Sequence, residues 1–112
     1  MSAVADVRKN RTTGDIAFAC ATGTAKTELV ALITARKIRV IALVLSAASA
    51  VNVTFQSAST DISKVFTLSA TDLIVVLPWS PFGWFDTAAG EALSYTPDGV
   101  VATTCTVVYV KI

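Results

Sequence analysis

The clearest pattern in the chain lies at residues 51–56, where Val51, Val53 and Phe55 alternate with Asn52, Thr54 and Gln56. A period of two sends one set to a buried face and the other to water, so a half-exposed strand is predicted here. The same alternation recurs near the C-terminal end. There Val101, Thr103, Cys105, Val107 and Tyr109 interleave with Ala102, Thr104, Thr106, Val108 and Val110. Ile16, Phe18 and Cys20 give a shorter version within residues 15–24. Residues 38–48 form the longest apolar segment, with Ile38, Val40, Ala42 and Val44 on one face and Ile41, Leu43 and Leu45 on the other. A sandwich strand ordinarily shows one face to water. This one is expected to be buried on both, by a second sheet on one side and by another subunit on the other. A buried helix competes for the same residues, but β-branching and the neighbouring strand signals weigh against it.

Short apolar runs at residues 29–33, 62–68, 73–77, 84–87 and 92–96 add further strands, divided by polar turns such as residues 34–37 and Pro97-Asp98-Gly99. About eight strands at roughly ten-residue spacing, with no helix, predict an all-β sandwich or barrel. A jelly-roll-like β-sandwich over residues 15–112 accommodates that number in two facing sheets.

Residues 77–93 read LPWSPFGWFDTAAGEAL and hold both tryptophans, two of the three prolines and two of the five phenylalanines. Proline fixes φ and glycine permits turns, so this is a corner between strands. Trp84 and Phe85 run into a strand-like segment and are expected in the core. Trp79 and Phe82, flanked by prolines, are expected on a contact surface, where aromatics are enriched.

Composition turns this fold towards assembly. Hydrophobic residues make up 54% of the 112 and charged residues only 15%, against about 25% in an average soluble domain. A chain of this size leaves a large share of its surface outside its own core. With few charges to dress that surface, apolar area is expected to meet other chains, and Ile41, Leu43 and Leu45 are interface candidates beside Trp79 and Phe82. The net charge of +1 argues against a polyanion binder, so no direct nucleic-acid contact is expected. Arg36, Lys37 and Arg39 read as a solvated group. Arg8, Lys9 and Arg11 fall in residues 1–14, a polar stretch without a hydrophobic period. That stretch is expected to be an arm that orders on a neighbouring subunit, the three cations being its contacts.

Catalytic chemistry finds no support. The chain has no histidine, which removes the commonest general base and metal ligand. Asp86 and Glu91 read as a turn acceptor and a solvated charge rather than a hydrolytic pair. Gly23, Thr24, Lys26 and Thr27 lack the spacing of a phosphate loop, and no hydroxyl has an activating partner. No enzyme activity, cofactor, metal or small-molecule substrate is expected. The two cysteines, Cys20 and Cys105, read as buried thiols, with a bridge between them left open. The first residues do not follow the signal-peptide pattern, and residues 38–53 are too short for a membrane helix.

Residues 36–112 resemble small structural proteins encoded among the virion genes of tailed bacteriophages. The resemblance rests on Lys37-Ile38-Arg39-Val40, the alternating strand at residues 51–57 and Leu77-Pro78. It also rests on the segment from Gly83-Trp84-Phe85-Asp86 to Ala92-Leu93 and the closing Val107-Val108-Tyr109-Val110. Such relatives often carry glycine before the basic strand opening, where this chain has Arg36. The resemblance implies a jelly-roll-like fold and a role in the particle shell or its attachments, often as trimers that cement the capsid. It points to a capsid decoration (cement) protein that binds the major capsid protein as a homotrimer on the virion surface, assembled in the host cytoplasm. A tail, connector or fibre component, or a carbohydrate-binding sandwich module, is the alternative.

Overall fold

The computed structural model describes residues 9–10 and 14–112. Eleven strands run in chain order: β1 (Lys9–Asn10), β2 (Gly14–Gly23), β3 (Thr27–Val30), β4 (Ile38–Ala47), β5 (Val51–Ser57), β6 (Thr60–Asp61), β7 (Phe66–Leu68), β8 (Ile74–Leu77), β9 (Phe85–Asp86), β10 (Leu93–Pro97) and β11 (Thr103–Lys111). They form two antiparallel sheets, and no helix occurs among the described residues. The larger sheet has the order β1-β2-β11-β4-β8, with β9 also on β4; the smaller has β3-β10-β5-β6, with β7 also on β5. Four nested pairs account for this order: β2 with β11, β3 with β10, β4 with β8, and β5 with β7. A long hairpin folded upon itself in this way, first strand against last, is a jelly roll.

The core lies between the sheets. Val51, Val53 and Phe55 of β5 meet Leu93 and Tyr95 of β10 on one side, and Cys105 and Val107 of β11 with Leu43 and Leu45 of β4 on the other. Phe55 is its aromatic centre, with ring centroids 5.2 Å from Phe85, 5.8 Å from Phe66 and 6.1 Å from Tyr95. The buried Tyr95 hydroxyl donates to the Thr103 carbonyl at 2.6 Å, which satisfies the one polar group the ring carries inward.

The longest strand departs from simple alternation. Val108 pairs with Ala42 while Tyr109 pairs with Val40, so Ile41 is an extra residue in β4. Such a bulge reverses the phase of the side chains beyond it. Ile38 and Val40 point inward before it, and Leu43 and Leu45 point inward after it; all four are buried in the core cluster. The two-faced grouping expected from periodicity is thereby corrected, and Leu43 and Leu45 belong to the core instead of to an interface. Val44, expected to share a face with Ile38, is exposed.

Two further expectations change. Phe85 packs on the core as anticipated, but Trp84 is 45% exposed. Its indole N–H donates to the Pro78 carbonyl at 2.8 Å, holding the ring along the corner and away from the core. Cys20 is exposed, and only Cys105 is buried. Thr106 pairs with Cys20, and Cys105 with Ala21, so the pleat sets the two sulfurs on opposite faces of the larger sheet and no bridge forms.

Candidate interaction surface

The outer faces of the two sheets differ sharply in chemistry. On the smaller sheet the outward positions are Glu28, Asn52, Thr54, Gln56, Asp61, Thr67 and Thr96, each following from its register, while Ser94 on the same face is buried with its hydroxyl unpartnered. Four of these groups are tied by side-chain hydrogen bonds. Thr96 donates to Gln56 Oε1 at 2.8 Å, Gln56 Nε2 donates to Asp61 Oδ1 at 2.9 Å, and Asn52 Nδ2 donates to Asp98 Oδ2 at 2.9 Å. It is a water-facing surface of the kind that antiparallel sheets commonly carry.

The larger sheet presents the opposite. Across its strands the outward residues form the rows Phe18–Val108–Ala42, Cys20–Thr106–Val44–Val76 and Thr22–Thr104–Ser46–Ile74. These rows carry no charge at all. Phe18, Val44, Ile74 and Val76 are exposed, Phe18 to 77%. The next row, Ile16–Val110–Arg39, brings the first cation. Arg39 Nε donates to Asp86 Oδ1 at 2.9 Å and Nη2 to Oδ2 at 3.1 Å, so its charge is met within the chain. That hydrogen-bonded pairing raises the guanidinium pKa above its usual value, against the lowering effect of desolvation.

At the edge of this sheet the corner projects. β8 pairs with β4 from Ser46 to Leu43, and β9 takes up the same edge at Val40 and Arg39. The residues between, 78–84, leave the sheet opposite the bulge. Ser80 N–H donates to the Ile41 carbonyl and Trp84 N–H to the Val40 carbonyl, both at 2.8 Å, while Gly83 N–H closes a turn on the Ser80 carbonyl at 3.0 Å. Pro81 and Gly83 occupy the second and fourth places of that turn, as such turns favour. Phe82 stands at its tip and is 87% exposed; Trp79 is 54% exposed. Ile41, another interface candidate, is buried beneath the corner. Behind the corner lies an open cleft of about 470 Å³ lined by Ile62, Ser63, Lys64, Phe66, Leu77, Trp84 and Phe85.

The N-terminal candidates are divided. Arg8 and Arg11 lie outside the described residues, while the backbone of Lys9 pairs with Asp15 at the edge of the larger sheet. The uncharged outer rows that hold Phe18, Val44, Ile74 and Val76 do not follow from periodicity, because their residues come from four strands whose neighbours are set by topology.

Carboxylates and hydroxyls in this region are engaged in structure. Asp86 holds Arg39, and Glu91 accepts from Ser57, whose hydroxyl in turn accepts the Ala88 N–H at 2.9 Å. The two acids thus address separate partners. Among the described residues no cluster of ligating side chains could hold a metal ion, and no helix is long and apolar enough to cross a membrane.

The fold and its surfaces define a jelly-roll sandwich with one polar and one apolar outer face. No family model and no curated protein matches the chain. Among solved structures, one similar chain comes from the cryo-EM structure of the extra small virus (XSV) VLP of the giant freshwater prawn Macrobrachium rosenbergii. It is 12% identical, with 86% of this chain and 77% of that chain covered at a TM-score of 0.41.

Proposed function

We propose that the chain is a virion structural protein, a capsid decoration (cement) protein that binds the major capsid protein lattice as a homotrimer. The observation that carries the assembly reading is the uncharged outer face of the larger sheet, set against the hydrogen-bonded polar face of the smaller one. Free soluble domains rarely leave a contiguous apolar patch in water. Burying Phe18, Val44, Ile74 and Val76 against a second chain removes that exposure, and the projecting Trp79 and Phe82 supply aromatic anchors of the sort that dominate interface energetics. The virion setting rests on the resemblance of residues 36–112. In this reading the subunit is non-catalytic, takes no cofactor and sits on the capsid surface.

The copy number per particle, measured by quantitative mass spectrometry of purified virions, tests the proposal. Copies in proportion to the capsid lattice support decoration. A handful per particle assigns the chain to the tail, connector or fibre, and absence from particles overturns the virion reading. A second reading, a carbohydrate-binding module, draws on Trp84 at the wall of the 470 Å³ cleft. Quenching or enhancement of tryptophan fluorescence on titration with oligosaccharides, lost in Trp84→Ala, would favour it.

A further inference from the structure

Among the described residues one buried side-chain polar atom, Ser94 Oγ, has no hydrogen-bond partner. Buried hydroxyls are ordinarily paired, and one left unpaired costs stability. Its surroundings explain the vacancy. β10 lies between β3 and β5, and Ser94 stands opposite Glu28 on one side and Gln56 on the other. The Gln56 amide is committed elsewhere, accepting from Thr96 at 2.8 Å and donating to Asp61 at 2.9 Å. On the β3 side the register shifts between Leu93 and Ser94, and an irregularity of that kind re-aims side chains.

Ser94 lines an open cavity of about 410 Å³ together with Lys26, Glu28, Ala58, Ser59 and Ala92. That volume falls within the range of about 300–1,000 Å³ usual for small-molecule sites. Lys26 Nζ donates to the Ala58 carbonyl at 2.6 Å. Because Lys26 precedes β3 and Ala58 follows β5, its side chain crosses over β10 between them. Ser94 is 3% exposed, so a ligand reaches its hydroxyl by displacing side chains around it, of which the Lys26 arm is the longest.

The lining groups define the ligand. The Lys26 ammonium keeps two N–H donors beyond its bond to Ala58, Glu28 offers carboxylate acceptors, and the hydroxyls of Ser59 and Ser94 both give and take. Opposite charges facing one cavity disfavour an ion of either sign, and no large apolar side chain is present to hold a hydrocarbon. The match is a neutral molecule with several hydroxyls, each able to donate and accept at once. We propose that the cavity is a saccharide-binding site in which Lys26 donates to the sugar, Glu28 accepts from it and Ser94 gains its missing partner. The site lies on the polar outer face of the smaller sheet, so it stands apart from the apolar face assigned to assembly and from the cleft beside Trp84.

The ¹⁵N-labelled full chain, titrated with glucose, galactose, mannose and N-acetylglucosamine at millimolar concentrations, tests this by amide chemical shifts. At least one sugar should move the amides of residues 26–28, 58–59 and 92–94. Ser94→Ala and Glu28→Gln should each weaken that binding by about tenfold. Ser94→Ala removes only an unpartnered hydroxyl, so it should melt at or above the wild-type temperature, which separates lost binding from lost folding. Four results would overturn the proposal: no shift with any of the four sugars; shifts undiminished in both variants; shifts centred on the Trp84 indole instead; or glycine or inorganic phosphate moving the same amides as strongly as the sugars.

Discussion

Gly83 illustrates how much of the corner depends on single residues. Its φ is +81°, and a Cβ there would lie 2.5 Å from Arg39 Cγ, the stem of the side chain that holds Asp86. Gly83→Ala therefore meets both a left-handed backbone penalty and a clash, and should cost about 1–3 kcal/mol in chemical denaturation. Gly99→Ala, with nothing near its Cβ position, is the matched control and should stay close to wild type. Aromatic truncations separate core from corner in the same way. Phe55→Ala empties the centre of the ring cluster and should cost about 3–5 kcal/mol, whereas Trp84→Ala loses one hydrogen bond and half-exposed packing and should cost about 1–2 kcal/mol. A wild-type-like Phe55→Ala would contradict this placement. Burial also tunes chemistry: it pushes the Cys105 thiol from an ordinary 9.0 up to about 12, and raises the pKa of the buried Tyr95. The folded chain holds these protons after the unfolded chain has lost them. Stability is thus fully present below about pH 9 and falls as pH rises towards 12, with a limiting slope of about 1.4 kcal/mol per pH unit for each group. Urea titrations from pH 8 to pH 11 should show that decline, and Cys105→Ala should show less of it.

At the level of elements, β5 was legible in the sequence because it keeps an unbroken period of two, and its inward set is the one its alternation picks out; β11 holds that alternation from Thr103 to Val108, beyond which Val110 is buried as well. The smallest strands left little periodic signal. β6 and β9 have two residues each and exist because a neighbour offers free backbone groups. The bulge at Ile41 could not be read in advance, since an extra residue is defined only against a partner strand. Trp84 misled for a related reason: local aromatic density resembles a core, but the indole N–H found a carbonyl on its own corner. Two substitutions test the phase of β4. Leu45→Lys places an unpaired ammonium among core residues and should cost at least about 3 kcal/mol, enough to leave a domain of this size poorly folded. Val44→Lys points outward and should shift the stability of the isolated chain by no more than about 0.5 kcal/mol. The reverse ranking would restore the unbulged register.

The whole molecule is a two-layer sandwich whose layers face different surroundings. One outer face is dressed with amides, hydroxyls and carboxylates, and the other is an apolar, uncharged band running from Phe18 on β2 to Val76 on β8. Low overall charge is thus concentrated as a local property of one sheet, and that asymmetry is the basis for reading the chain as an assembling subunit. The sequence signalled an apolar excess but not its address, because the band is built from residues far apart in the chain. Light scattering on the purified protein at micromolar concentration, wild type beside Val44→Lys/Val76→Lys, tests this most directly. The wild type should give a mass of three times 11.7 kDa, and the double variant should give the single-chain mass while melting within a few degrees of wild type. A wild type that is a monodisperse monomer, or a double variant that assembles as fully as wild type, would contradict it.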